Sequence, residues 1–170
     1  RIRRTLRNRF RNGGIFQCPI YGYIKPPREK EDEAVRDEAV RKDPHAEPIY
    51  DDWFTRLESG DTFAAVADWL HDLGIPLPPY ARGERWTGPM VARITRNPIL
   101  KGIRVRNNRI TKRINKTGRR KTVKAPPEER LERECPHLAF IEPARFDRLM
   151  RQLDERNAKY RRRGKDGCDL

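Results

Sequence analysis

The chain has 170 residues, with 39 Lys and Arg against 25 Asp and Glu, for a formal charge of +14. Hydrophobic residues make up 35% and charged residues 38%, enough for one modest core or two small ones but not for a large enzyme core. No run of about eighteen apolar residues exists to span a membrane, and the basic first residues lack the apolar stretch of a secretory signal, so an intracellular binder of polyanions is the expectation.

Ile2, Leu6 and Phe10 stand four residues apart among Arg1, Arg3, Arg4, Arg7, Arg9 and Arg11, a pattern that predicts a basic helix closed by Gly13-Gly14. The chain starts inside this helix without a methionine, as a piece cut from something longer would. Pro19, Gly22, Pro26 and Pro27 mark a loop or short strand holding Tyr21 and Tyr23. Residues 29–42 are nearly all charged and are expected as an exposed loop or frayed helix, with Glu29 to Glu38 facing solvent or neighbouring protein.

Asp43-Pro44 reads as the cap and first turn of a helix carrying Ile49, Trp53 and Leu57 and ended by Ser59-Gly60. Thr62 caps a second helix with Phe63, Val66, Ala67 and Leu70 on one face, closed near Gly74. Gly74 to Trp86 is longer than the turn of an ordinary helix-turn-helix. Thr87 then caps a third helix, with Pro89 in its first turn, Met90, Val91 and Ile94 inward, Arg93 and Arg96 outward, and Asn97-Pro98 as its stop. Trp86, just before that cap, is expected in the core.

Beyond Pro98 the pattern shortens toward period two. Ile103 and Val105 alternate with Arg104 and Arg106, and the turn signal from Asn115 to Gly118 predicts one or two basic β-hairpins. Leu138 to Ile141 is a short apolar run and a further strand candidate. A last helix starts near Pro143, places Phe146, Leu149, Met150 and Leu153 on one face, and closes through Arg161 to Arg163.

Residues 85–127 hold 14 Lys or Arg and no Asp or Glu, interleaved with apolar residues such as Val91, Ile94, Ile103 and Val123. A folded face this one-sided repels itself unless an anion covers it. Signals for chemistry are weak. Ser59 is the only serine and is explained by helix termination; Cys18, Cys135 and Cys168 are too widely spaced for a disulfide framework or a zinc knuckle, and Cys135 with His137 supplies two ligands where a structural zinc needs four. No glycine-rich phosphate loop follows an apolar strand. No cofactor and no metal are expected, and the chain is not expected to be an enzyme by itself.

Several stretches in order resemble the recombinase domain of large serine site-specific recombinases, the serine integrase and resolvase-invertase group. They are Pro19 to Tyr23, Asp43-Pro44 through Trp53-Phe54, Gly60 to Leu70, Leu73 to Pro76, Trp86-Thr87 to Val91, Asn97-Pro98 and Gly102, followed by the helix start between Ile141 and Phe146. The resemblance implies that residues 1–13 end a linker helix from a missing catalytic domain that carries the nucleophilic serine. It makes 14–142 the recombinase DNA-binding domain and 143–170 a C-terminal helix and basic tail. The long basic stretch 103–124 departs from the family pattern.

The expected fold is α+β: a small helical cluster with helix-turn-helix-like helices, a short basic β-hairpin region and a closing C-terminal helix. Its expected partner is double-stranded DNA at the attachment or target site of a parent recombinase. The third helix would enter the major groove with Thr87, Arg93 and Arg96 nearest base edges or phosphates. Arg104, Arg106, Arg109, Lys112, Arg113, Arg119, Arg120 and Lys121 would track the backbone, and Arg3, Arg4, Arg7 and Arg11 would follow the adjacent minor groove. The resemblance further implies a parent that works as a dimer or tetramer on bacterial or phage DNA, in the cytoplasm and associated with the nucleoid, with no membrane role. The alternative is an RNA-binding or ribosome-associated basic module, although the basic stretch offers no aromatic between Trp86 and Phe140 for stacking bases.

Overall fold

Apolar residues at helical spacing wind the middle and the end of the chain into helices that share one core. The computed structural model describes residues 2–14, 20–26, 37–115 and 117–160, with five helices: α1 (Ile2–Arg11), α2 (Ala46–Ser59), α3 (Phe63–Asp72), α4 (Gly88–Thr95) and α5 (Pro143–Tyr160). Tyr50, Trp53, Phe54 and Leu57 of α2, Val66 and Leu70 of α3, Val91 and Ile94 of α4, and Phe146, Leu149 and Leu153 of α5 are all buried in that core. Trp53 Nε1 donates to Thr95 Oγ1 at 3.0 Å, and Thr95 Oγ1 donates to the Val91 carbonyl at 2.8 Å, so the polar groups crossing from α2 to α4 are satisfied. Trp86 is buried as the staple pattern implies; its Nε1 donates to the Ile75 carbonyl at 2.8 Å and pins the long connection between α3 and α4.

The helix boundaries follow local chemistry. Thr62 Oγ1 accepts from the Ala65 N–H at 3.1 Å and starts α3 as a side-chain cap. Asp43 instead accepts from the His45 N–H at 3.0 Å, a turn that delays α2 to Ala46. Thr87 occupies the cap position of α4 in extended conformation but makes no side-chain cap bond there. Beyond α4, Asn97 Oδ1 accepts from the Ile99 N–H at 3.2 Å and opens a short 3-10 turn, Pro98–Lys101.

Among the described residues, six strands form three antiparallel pairs. β1 (Tyr23–Ile24) pairs with β2 (Arg41–Lys42), β3 (Ile103–Arg106) with β6 (Leu131–Glu134), and β4 (Arg109–Arg113) with β5 (Arg120–Lys124). Two expectations are corrected here. The described part of residues 29–42 is not an exposed loop, because Asp37 and Val40 are buried and Arg41–Lys42 is paired; residues 29–36 lie outside the described residues. Leu138 to Ile141 is not a strand: Leu138 ends a 3-10 turn, and the Phe140 and Ile141 N–H groups donate to the Leu100 carbonyl, each at 2.9 Å. Of the one or two hairpins expected, one forms: β3 pairs with β6, and the basic stretch divides into a strand of that pair and the separate β4–β5 hairpin.

Asp37 explains the placement of β3. Its fully buried carboxylate accepts from Arg104 Nη1 at 2.7 Å, Arg133 Nε at 2.7 Å and the Cys135 thiol at 3.1 Å. The same guanidiniums donate to the carbonyls of Gly13 (3.2 Å) and Gly14 (3.3 Å) from Arg104 and of Arg11 (2.8 Å) from Arg133, while His137 Nε2 donates to the Asp37 carbonyl at 3.0 Å. Gly13 sits at φ +81, and a Cβ there would meet Asp37 Oδ1 at 2.5 Å, so a side chain is excluded by both backbone and space. Burial by itself would raise the Asp37 carboxyl; the hydrogen bonds from Arg133, Cys135 and Arg104 and the charge of Arg104 outweigh it and hold the group down to about 2.

The depressed carboxyl gives a stability term that is complete above the unfolded value of about 3.9 and is lost as pH falls through about 2. Asp37→Asn, which leaves the buried Arg104 guanidinium without a countercharge and the half-buried Arg133 with only Glu38 at 3.6 Å, is expected to lower unfolding free energy by about 3–5 kcal/mol at neutral pH. The wild type should lose stability between about pH 4 and 2 more steeply than the variant. Urea unfolding across that range measures both; parallel profiles would contradict the ion-pair account.

Candidate nucleic-acid interface

The register of β4 and β5 places like charges directly opposite one another. Arg109 faces Lys124, Lys112 faces Lys121 and Arg113 faces Arg120, with Ile110–Val123 and Thr111–Thr122 between them. Such rungs are destabilising in an antiparallel ladder. The hairpin is closed by the Ile114 N–H donating to the Arg119 carbonyl and the Gly118 N–H to the Ile114 carbonyl, both at 2.8 Å, with Gly118 at φ +66. Side chains alternate across a ribbon. One face therefore carries Arg109, Thr111, Arg113, Arg120, Thr122 and Lys124, every one of them exposed; the other carries the half-buried Ile110 and Val123 beside Lys112 and Lys121.

At the root of the hairpin, Lys124 and Asn108 share an open groove of about 700 Å³ with Arg93 and Arg96 from the α4 end, Lys101, and Arg130. The packing of α4 against α3, with Gly88 beside the Ala64 backbone, positions its share. Arg93 is exposed with its guanidinium carbon 4.5 Å from the Tyr80 ring centroid, a cation–π contact. Three other cations of the groove have carboxylate partners: Arg96 with Asp154 at 2.8 Å, Lys101 with Asp147 at 2.7 Å and Arg130 with Glu132 at 2.6 Å. The hairpin's cations have no carboxylate in their own sequence neighbourhood.

The residues singled out from sequence separate into groups. Arg109, Lys112, Arg113, Arg119, Arg120 and Lys121 are exposed on the hairpin, Arg106 is half-buried on β3, and Thr87 is exposed at the start of α4. Arg104 is corrected: it is 6% exposed and spent on Asp37, because its strand faces the interior where alternation suggested a surface. Arg4 and Arg11 are exposed and Arg7 half-buried on α1, and the Arg3 side chain lies outside the described residues; none of the groove's lining comes from α1. Lys101, Asn108, Lys124 and Arg130 were not singled out. Lys124 was legible as the period-two partner of Arg109 across the hairpin; Arg130 reaches the groove through the non-local β3–β6 pairing and had no local signal.

Other polar groups are engaged structurally. Ser59 Oγ donates to the Arg56 carbonyl at 2.8 Å, and burial, followed by the hydrogen bond to Asp37, pushes the Cys135 thiol up to about 11, which keeps it protonated. Among the described residues no group of three His, Cys, Asp or Glu side chains is placed to hold a metal ion, and no helix is long and apolar enough to cross a membrane.

A family model described as Recombinase matches residues 44–156, more than half of the chain. No curated protein matches it. The matched span covers α2 through nearly all of α5 and includes both the groove and the hairpin.

The Arg96–Asp154 pair competes with any anion that enters the groove. An exposed pair is worth at most about 1 kcal/mol, so Asp154→Asn is expected to tighten binding to duplex DNA by up to about fivefold at low salt with little change in melting temperature. Titration with a labelled duplex checks this; unchanged affinity would place Arg96 off the contact surface.

Proposed function

Because the chain belongs to the recombinase family, the domain found in large serine recombinases and acting on DNA, we infer that it is the part of such an enzyme that binds the duplex attachment or target site. The observation that carries this reading is the continuity of the α4 groove with the acid-free hairpin: Lys124 belongs to both. Site-specific strand exchange requires the parent to hold a defined stretch of duplex while other residues cut it, and a cationic surface with a stacked, orientable arginine at its centre meets the first requirement.

In this reading the hairpin cations neutralise phosphates, and Arg93 reaches a base edge from α4, where guanine O6 and N7 accept a bidentate guanidinium. Arg4, Arg7 and Arg11 lie along the neighbouring minor groove, where closely spaced arginines meet concentrated negative potential. Cleavage falls to a serine-bearing catalytic domain of the parent, since Ser59, the chain's only serine, is spent on a helix end. The parent assembles as a dimer or tetramer on paired sites, associated with the nucleoid of its host.

The test is electrostatic. If about six to eight basic residues neutralise phosphates, the plot of log affinity against log salt has a slope near −5 to −7. Replacing Arg119, Arg120 and Lys121 together by Ala should weaken specific and random DNA alike and flatten that slope by as much as about three units, whereas Arg93→Ala should cost about 1–3 kcal/mol on the correct site and less on random DNA. Wild-type binding that barely responds to salt would remove the basis of the proposal.

A further inference from the structure

The exposed face of the β4–β5 ribbon has an order that phosphate binding alone does not require. Its three rungs run Arg109–Lys124, Thr111–Thr122, Arg113–Arg120, so a pair of short hydroxyl side chains lies between two pairs of long cations. All six are exposed, and the rear of the ribbon carries the half-buried Ile110–Val123 rung, which turns the threonine face outward. The near rung ends at Lys124, in the groove beside Arg93 and Arg96. By contrast α4 offers little to read with: Pro89 and Arg93 are its exposed residues, and Arg96 at its end is tethered to Asp154.

We propose that this ribbon is a sequence-reading element, lying in the major groove of B-form duplex DNA with Thr111 and Thr122 on base edges and Arg109, Arg113, Arg120 and Lys124 reaching the flanking guanines or phosphates. The inference rests on the DNA-binding reading above and adds the reader and its groove. A two-stranded ribbon fits the major groove, about 12 Å wide, and not the minor groove of about 6 Å. Rungs on one face recur every two residues, about 7 Å along the strand, so the threonine rung approaches about two base steps while the cation rungs extend to either side. The short side chains permit close approach of the backbone, and threonine presents a hydroxyl that bonds donors or acceptors and a methyl that packs on the thymine C5-methyl. The like-charge rungs, unfavourable in the free ribbon, become favourable between two phosphate strands. A-form RNA is excluded as the occupant by its deep, narrow major groove.

The experiment starts with selection of a preferred sequence from a library of randomised duplexes by the 170-residue chain, followed by titration of the selected duplex, a shuffled duplex and an RNA duplex of the selected sequence. The Thr111→Ala/Thr122→Ala variant alters only exposed side chains and is expected to lower the selected-to-shuffled affinity ratio by about tenfold or more, with the salt slope on shuffled DNA unchanged. Replacing guanine by 7-deazaguanine in the selected duplex, which removes a major-groove acceptor, should weaken the wild type, and a minor-groove drug should not displace the ribbon's contribution. A variant ratio equal to the wild type's would overturn the ribbon as reader while leaving DNA binding in place. Equal affinity for the RNA duplex would overturn the groove assignment, and failure to select any sequence would overturn both this inference and the function it rests on.

Discussion

A carboxylate stripped of water survives only if its lost hydration is replaced bond for bond, and at Asp37 the replacement comes from residues far apart in the chain. Arg104, Arg133 and Cys135 converge on it, and the excess positive charge of two guanidiniums on one carboxylate is spread onto the carbonyls of Arg11, Gly13 and Gly14. Arg11 ends α1, where the helix dipole is negative, and Gly13 and Gly14 follow directly; the Gly13 carbonyl also accepts from the Asp37 N–H at 2.8 Å. One cluster therefore caps α1, turns β3 inward and seats β6 beside it. Removing Asp37 leaves the buried Arg104 without its carboxylate, and removing Arg104 leaves the buried Asp37 with the half-buried Arg133 as its remaining countercharge, so the two are strongly coupled.

That arrangement decides what remains at the surface. With β3 committed to β6, the hairpin that follows is a separate antiparallel pair, closed at its root by the Ala125 N–H donating to the Asn108 carbonyl at 3.0 Å. The acidic residues of α5 and β6 then fall beside the groove cations Arg96, Lys101 and Arg130 and offset them. Three groove cations are thus offset by carboxylates, while the groove's Arg93 and Lys124 lie outside these pairs. Within a chain of formal charge +14, residues 109–124 concentrate eight Lys and Arg and no Asp or Glu on one projecting hairpin.

Local signals made the helices legible. Trp53, Leu57, Val66, Leu70, Val91, Ile94, Phe146 and Leu149 fall at helical spacing and all face the core, and Thr62 caps where its side chain says it should. The hairpin was legible for a similar reason, since alternation and a glycine turn act between neighbours. Asp37 was not, because a carboxylate inside a run of charged residues reads as solvated until its partners, some seventy to a hundred positions away, are known. Arg104 was misjudged with it: a strand's alternation says which residues share a face but not which face is buried, and the ion pair reversed the choice. For the interface, the cationic hairpin and Arg93 were visible in advance, whereas Arg130 and the pairing of Arg96 with Asp154 depend on long-range packing.

The division between scaffold and projection also assigns the costs. Like charges opposite one another at Arg109–Lys124, Lys112–Lys121 and Arg113–Arg120 weaken a two-stranded ribbon that is already marginal by itself. Had those pairs been built on β3 and β6, their repulsion would have been charged against the core that Asp37 holds together. Placed on an element joined to the domain at one end, with Ile110–Val123 and Thr111–Thr122 keeping its register, the repulsion strains the ribbon alone. Under the proposed function, binding a duplex would reverse the sign of that term without altering the core, so that affinity and stability of the fold would be set by different residues. Changes in hairpin charge are free to retune the one with little effect on the other, in the same way that changes around Asp37 act on stability before they act on binding.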